Sequence, residues 1–446
     1  MKRLKVHIPK AFEREVVYSF EYLFSLIHKD LSYDFFSAEE VSDFVIEIDS
    51  KKITISNRFF KPDLSESPCK KINVPKESES INLMIGEEHF LIESIFGNEQ
   101  LEIEDEELFF GTDIIAGTFF MLTRWEESVI HKKDNLGRFD YREALSVKSG
   151  FYKRPVIDEY AMILRAALRH LGVSIPESNE NSSSQLTFDI DQLEKWQKGK
   201  IFLESLYKNL IKLRIGSALE DLISFVGNKI SGRPDPYQNL KELTAQLSNS
   251  KVSNAVFYFK TKSSQSKYDR NRYDLSSTEL KKCFQEITKY NYKIGLHPGF
   301  DSFDDLELMS QEYDHLMGHA RSEVEHVRQH YLRFKVPNTW LIQEKLGLNY
   351  DSSMIYSHSA GFRCGTCHAF PVFDFASGKP LDIVELPLLF METPYMNRID
   401  DLLKDFDEIK MQVDKYAGNM VILWHNGNLE YKWQRKLFIK LLQRIS

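Results

Sequence analysis

A chain of 446 residues is longer than one core of ordinary size, so two domains are expected. With 42% hydrophobic and 28% charged residues, it falls in the water-soluble globular class and outside the disordered and membrane-embedded ones. A formal net charge of −8 argues against a nucleic-acid partner, which calls for a basic face. The start, Met1-Lys-Arg-Leu-Lys-Val-His-Ile-Pro-Lys10, carries cations with no apolar run behind them, and no uncharged window approaches bilayer length. Stable membrane insertion is therefore not expected, and a cytoplasmic location is. Four cysteines in so long a chain make no disulfide framework, which agrees with a reducing compartment.

In chain order, apolar and polar residues alternate at 44–48 and 52–56, which predicts two short strands. Helices are predicted near 113–127 and over 156–171, the second with Gly172 as its stop. The acidic stretch from Glu99 to Glu107, ahead of both, reads as a solvated face or loop. Pro176-Glu-Ser-Asn-Glu-Asn-Ser-Ser-Ser184 is polar and low in complexity, so it reads as a linker. These features predict a separate α+β domain over 1–180 and a second domain over 181–446.

Beyond the linker, the pattern becomes strand, helix, strand. Strands are predicted at 185–191, 255–259, 292–297 and 419–425. Helices are predicted over a Lys-rich stretch at 193–226, at 276–290 behind a Ser276–Glu279 capping box, at 338–346, and from Trp433 to the end. Repeated β-then-α units imply a parallel sheet. Their number favours an α/β fold with a partial or distorted (β/α) barrel.

Active residues in parallel α/β folds gather at the C-terminal ends of strands. Three predicted strands end in groups suited to chemistry: Asp189-Ile-Asp191, His297 and His425. Residues i and i+2 of a strand share a face, so both aspartates can meet the two imidazoles at one rim. Two carboxylates and two histidines there suit a hydrolytic metal site.

Thr187-Phe-Asp-Ile-Asp191 resembles the opening Thr-Phe-Asp-Asp motif of the polysaccharide deacetylases (carbohydrate esterase family 4, the NodB homology domain). Gly295-Leu-His-Pro-Gly-Phe-Asp301 stands where that family has its His-rich metal motif. Val327-Arg-Gln-His-Tyr331 resembles the Arg-x-Pro-Tyr motif, and Leu423-Trp-His425 the closing Leu-x-His motif. Gly361-Phe-Arg-Cys-Gly-Thr-Cys-His368, with Leu122-Thr-Arg-Trp-Glu-Glu127 and Gly137-Arg-Phe139, is similar to a two-domain subgroup associated with surface-polysaccharide clusters.

The resemblance implies a zinc-type metal-dependent deacetylase hydrolysing N-acetyl, or less readily O-acetyl, groups on a glycan or glycan precursor. It implies Asp189 as general base and Asp191 as metal ligand, although these roles could be exchanged. Arg328 would orient the base, and His425 would act as general acid. His297 is a further implied ligand. The family's second metal histidine is absent, which leaves His330 or Asp301 as the third ligand. A degenerate barrel that binds or scaffolds carbohydrate without turnover is the alternative.

Cys364-Gly-Thr-Cys-His368 matches the C-x-x-C-H pattern of c-type haem attachment, which takes place outside the cytoplasm. The run is therefore expected to be a structural loop over the barrel mouth, where Arg363 could meet an acidic sugar or phosphate. Tyr350-Asp351 and Glu385-Leu-Pro387 are expected to add rim groups. Trp340 and Trp424 are expected mainly in the core.

Overall fold

The computed structural model describes residues 3–61, 68–177, 180–250, 252, 254–261, 266–269 and 273–445. The N-terminal half holds a six-stranded mixed sheet and a hairpin. Its strands are β1 (Leu4–Pro9), β2 (Tyr33–Ala38), β3 (Phe44–Ile48), β4 (Lys51–Ile55), the hairpin β5 (Glu79–Ile85) and β6 (Glu88–Ser94), β7 (Gly97–Ile103) and β8 (Glu107–Thr112). The sheet order is β2-β1-β3-β4-β8-β7. Alternation drives it: Leu4, Val6 and Ile8 of β1 and Phe44, Ile46 and Ile48 of β3 are all buried. The helix expected at 113–127 runs only from Ile114 to Thr123, because Arg124 turns left-handed at φ 51°. The helix Val156–His170 matches its expectation, and Gly172 at φ +86° follows it.

The C-terminal half carries nine strands: β9 (Ser183–Ile190), β10 (Ala255–Phe259), β11 (Lys293–Leu296), β12 (His326–Val327), β13 (Tyr350–Asp351), β14 (Phe370–Asp374), β15 (Lys379–Glu385), β16 (Leu388–Met391) and β17 (Asn419–His425). They form one sheet in the order β14-β15-β13-β12-β11-β10-β9-β17-β16. Every pairing is parallel except β14–β15. The molecule is thus a mixed α/β protein. Its curled, parallel-rich sheet is consistent with a partial barrel.

Local differences from expectation have simple causes. The helix at Thr278–Lys289 is capped by Ser277, whose Oγ accepts from the Leu280 N–H at 3.3 Å, while Ser276 bonds Asp274. The Lys-rich stretch splits into two helices, Gly199–Ile211 and Ile215–Ser231, because Leu213 adopts φ 53°. Ser178 and Asn179 of the expected linker lie outside the described residues.

The two halves share packing. Phe370, Val372, Phe373 and Ile383 belong to the hydrophobic cluster built by the N-terminal strands and helices. The Phe373 ring lies 4.8 Å from that of Tyr18 and 5.6 Å from that of Phe119. The Cys364–His368 run is built into this joint rather than over the sheet's mouth, which corrects the expected position. Cys364 and Cys367 are free thiols and fully buried. The Cys367 thiol donates to Asp158 Oδ1 at 3.4 Å, and His368 Nε2 sits between that oxygen (3.2 Å) and the Tyr416 carbonyl (3.0 Å). Gly365 stands at φ +71° with the Met121 side chain 3.1 Å from where a Cβ would be, so both backbone and space favour glycine.

Arg363 is likewise committed to structure. Its Nη2 pairs with Glu127 Oε2 at 2.5 Å and its Nη1 donates to the Ile355 carbonyl at 3.0 Å. Glu127 also receives Arg124 Nε at 3.0 Å, so a buried Arg–Glu–Arg group crosses the joint. Such a group needs all its partners, because a single buried charge left alone is costly. Arg363 is therefore not available to an acidic ligand.

Candidate metal centre

Strand register sets the site. In the sheet His425 of β17 stands beside Asp189 of β9, and Tyr258 of β10 stands on its other side. Leu296 of β11 pairs with Val327 of β12, so the next residues, His297 and Arg328, emerge together. The backbone continues that alignment: His297 N–H donates to the Phe259 carbonyl (2.9 Å) and Arg328 N–H to the Leu296 carbonyl (3.0 Å). Four chain segments thus end at one level and aim polar groups at the same rim.

Asp191, His297 and His330 meet there. His297 Nε2 lies 3.4 Å and His330 Nε2 3.5 Å from Asp191 Oδ1. All three donor atoms fall within 4.8 Å of one another. Ligand bonds of about 2.0 Å at tetrahedral angles put neighbouring donors about 3.3 Å apart, so this spacing matches a zinc-sized cation.

Proton positions strengthen the case. His297 Nδ1 is 2.6 Å from the Arg328 carbonyl oxygen and must donate to it, which leaves a lone pair on Nε2. His330 Nδ1 is 2.7 Å from Asp269 Oδ1, which leaves a lone pair on its Nε2 too, and the Lys260 ammonium approaches that nitrogen to 3.3 Å. Asp191 Oδ1 is buried and has no hydrogen-bond donor. Three electron pairs facing one point repel unless a cation lies between them. The donor set therefore fits a divalent ion.

The surroundings favour this protonation pattern. Burial pushes the His330 imidazole down from its ordinary value, outweighing Asp269, and keeps the ring neutral as a ligand must be. Burial would raise Asp191, but the hydrogen bond from His297 and the positive charge that His330 and His297 carry when protonated outweigh it and hold its carboxyl well below the usual range; a bound cation would supply that charge in their place. Asp269 also binds Lys260 Nζ at 2.8 Å and the Phe300 N–H at 2.9 Å, which fixes the orientation of His330.

Asp189 sits beside this group. Its Oδ2 is 3.7 Å from His297 Nε2 and 3.9 Å from His425 Nε2, and its Oδ1 receives Arg328 Nη1 at 3.2 Å. Arg328 is wholly buried and locked by Thr187 Oγ1 (2.6 Å), the Ser352 carbonyl (2.6 Å) and Ser352 Oγ (2.9 Å). Its guanidinium also lies 4.5 Å over the Tyr258 ring.

His425 stands next to Asp189, on the neighbouring strand. Its Nδ1 is 2.8 Å from Glu392 Oε1, which also accepts the His425 N–H (2.9 Å) and Asn428 Nδ2 (2.7 Å). Burial alone would lower the His425 pKa. The Glu392 carboxylate more than reverses that and raises it to about 10. Glu392 itself would be raised by burial but is held below its ordinary value by His425.

These groups open into a cavity of about 400 Å³ lined by Asp189, Asp191, His297, His330 and His425. A second cavity of about 470 Å³ shares Asp191, His330 and Tyr331 and runs toward Lys260 and Tyr268. Arg138 reaches the first cavity from the N-terminal half, donating from Nη1 to the Tyr331 carbonyl at 3.0 Å. Tyr331 and Leu332 both hold left-handed backbone, at φ 58° and 56°, and Tyr331 stands half-exposed at the rim.

The expected residues thus meet, with one exception. Asp301 is exposed, pairs with Arg333 Nη1 at 3.1 Å and lies outside the cluster. Asp351 and Glu385 are fully buried rather than at the rim. Glu385 accepts Trp340 Nε1 at 3.1 Å, and Asp351 accepts Gln343 Nε2 at 3.0 Å. Trp340 and Trp424 are core residues. Sequence reasoning missed Glu392 and Asp269. Glu392 follows the apolar strand β16, so the strand-end rule that selected His297 could have found it. Asp269 lies in a loop with no periodic signal.

Comparison with known proteins gives two findings. Residues 4–172 match the model of a family of unknown function, DUF7033, which is less than half of the chain. No curated protein matches. Among solved structures, the chain is similar to one titled "Crystal structure of putative polysaccharide deacetylase from Mycobacterium smegmatis". The TM-score is 0.38 and the identity 12%, covering 61% of this chain and 86% of that one. A likeness of that size carries no argument about the site, which rests on its own geometry.

Proposed function

We propose that this chain is a metal-dependent hydrolase of the polysaccharide deacetylase type, removing N-acetyl, or less readily O-acetyl, groups from a glycan or glycan precursor. The observation that carries the reading is the convergence of Asp191, His297 and His330, with Asp189 and His425 beside them at one cavity. Asp191 and the two histidines would hold the ion, for which zinc suits the donor set. When bound, such an ion lowers the pKa of water and polarises a carbonyl oxygen.

The chain's own residues supply the remaining steps. Asp189 would take a proton from the attacking water. Arg328 would hold that carboxylate in place, because its guanidinium has no freedom to turn. His425, kept as an imidazolium by Glu392, would give its proton to the departing sugar amine. An amine is a poor leaving group without that proton, so the pairing suits an amide better than an ester. A cavity of about 400 Å³ is the size of small-ligand pockets.

Residues 1–180 are proposed as an accessory unit that lends Arg138 to the rim, and 181–446 as the deacetylase-like unit. The test is acetate release from N-acetylhexosamine oligomers. Release that a chelator stops and a divalent metal restores supports the reading. A metal-loaded protein that binds these oligomers without releasing acetate refutes it and favours the binding protein.

A further inference from the structure

The helical hairpin at 199–231 reverses the usual inside and outside. The helix Gly199–Ile211 buries only Asn209 among its described residues, and Ile215–Ser231 buries Ser217, Ala218, Asp221 and Gly227. The inward contacts are polar: Asp221 accepts from Lys195 Nζ (2.5 Å), Ser205 Oγ (2.7 Å) and Asn209 Nδ2 (2.8 Å). Phe202 and Phe225 stack on each other at 4.3 Å and against the buried Trp196, but most of the large apolar side chains point outward. Eleven of the 22 large apolar residues exposed among the described residues fall in this hairpin, with Leu213 84% and Ile230 79% exposed. Soluble monomers rarely leave so much apolar surface in one place.

Charge indicates what covers it. Residues 198–233 contain seven Lys and Arg against three carboxylates, in a chain whose net charge is −8. One of the three, Asp221, is buried and paired with Lys195. The outer surface is therefore apolar and cationic at once, Lys208, Lys212 and Lys229 standing exposed among the leucines and isoleucines. That combination suits the headgroup layer of an anionic bilayer. A second copy fits poorly, because a two-fold contact would set one cationic hairpin against another. No helix among the described residues is long and apolar enough to cross a membrane, so the contact would be peripheral.

We propose that this hairpin docks the protein on the surface of an anionic lipid bilayer. Its anchorage is next to the candidate metal centre. Lys195 Nζ pairs with Glu430 Oε2 at 2.6 Å, and Glu430 and Tyr237 both line the cavity that holds His297 and His425. Docking would thus hold the cavity beside the lipid surface. The proposal does not depend on the deacetylase reading, since it concerns binding alone.

The test is flotation of the full chain with vesicles of phosphatidylglycerol and phosphatidylcholine, against phosphatidylcholine alone. The protein should float with the anionic vesicles, release at high salt, and stay down with the neutral ones. Leu213→Glu with Ile215→Glu should abolish flotation, and Lys208→Glu with Lys212→Glu and Lys229→Glu should weaken it more than about tenfold. Both variants alter exposed residues, and unchanged circular dichroism would exclude unfolding as the cause. Wild-type protein that stays down with anionic vesicles overturns the proposal. A wild-type dimer by light scattering that Leu213→Glu converts to monomer overturns it too, by giving the surface to a second copy.

Discussion

Replacing Glu392 by Gln removes the group that raises the His425 pKa while keeping an oxygen to accept the His425 and Asn428 N–H bonds. With the carboxylate present, His425 titrates at about 10, so nearly all of it is protonated at pH near 7.5. Without it, the pKa falls toward the ordinary value of about 6.5, since burial acts downward and only Asp189 and Asp191 still raise it. At a pH of about 7.5 the acid form then drops by up to about tenfold, and deacetylation should fall with it. The basic limb of the rate profile should move down from about 10 toward about 7. Stability should respond through the same group. A raised histidine pKa contributes stability that is complete below about 6.5 and is lost as pH rises through about 10, and Glu392→Gln should lack that slope. The assay is acetate release against pH, with chemical denaturation run in parallel. A basic limb that stays in place, or a rate that falls equally at every pH, would refute the assignment of His425 as the acid held by Glu392.

Other outcomes follow from the same geometry. His330→Ala should lose bound divalent metal on dialysis whereas Asp301→Ala should keep it, with metal content by mass spectrometry as the check; equal loss would make Asp301 a ligand. Asp269→Asn should weaken metal affinity by about 10–100-fold, because it orients His330 without touching the ion, and competition with a chromogenic chelator measures this. Glu127→Gln should destabilise the protein by roughly 3–5 kcal/mol in denaturant titration, since Arg124 and Arg363 would lose a buried partner; a change below about 1 kcal/mol would contradict the role given to the joint.

Much of the site was legible because parallel strands end where chemistry collects. Asp189, Asp191, His297 and His425 each close or follow an apolar run, and strand register then brings them to one level. Arg328 and His330 lie past a two-residue strand too short to show periodicity, so only their motif context pointed to them. Asp301 misled because four residues on from His297 spans a helical turn, whereas here a proline and a glycine intervene and the chain is irregular. The buried charges at Glu127, Arg363 and Glu385 were unreadable for another reason. Arg363 lies far from Glu127 in sequence and Trp340 far from Glu385, and a charged residue alone gives no sign that it is internal. The same holds for the hairpin at 199–231, where the sequence predicts only a Lys-rich helix at 193–226 and carries no sign of which face turns inward.

The claim beneath all of this is that one cation belongs between Asp191, His297 and His330. Anomalous diffraction from crystals grown with zinc measures it directly. The account predicts a single strong peak about 2.0–2.2 Å from Asp191 Oδ1 and from Nε2 of both histidines. A peak bound to Asp301 instead, or no peak at this rim in zinc-saturated crystals, would contradict it.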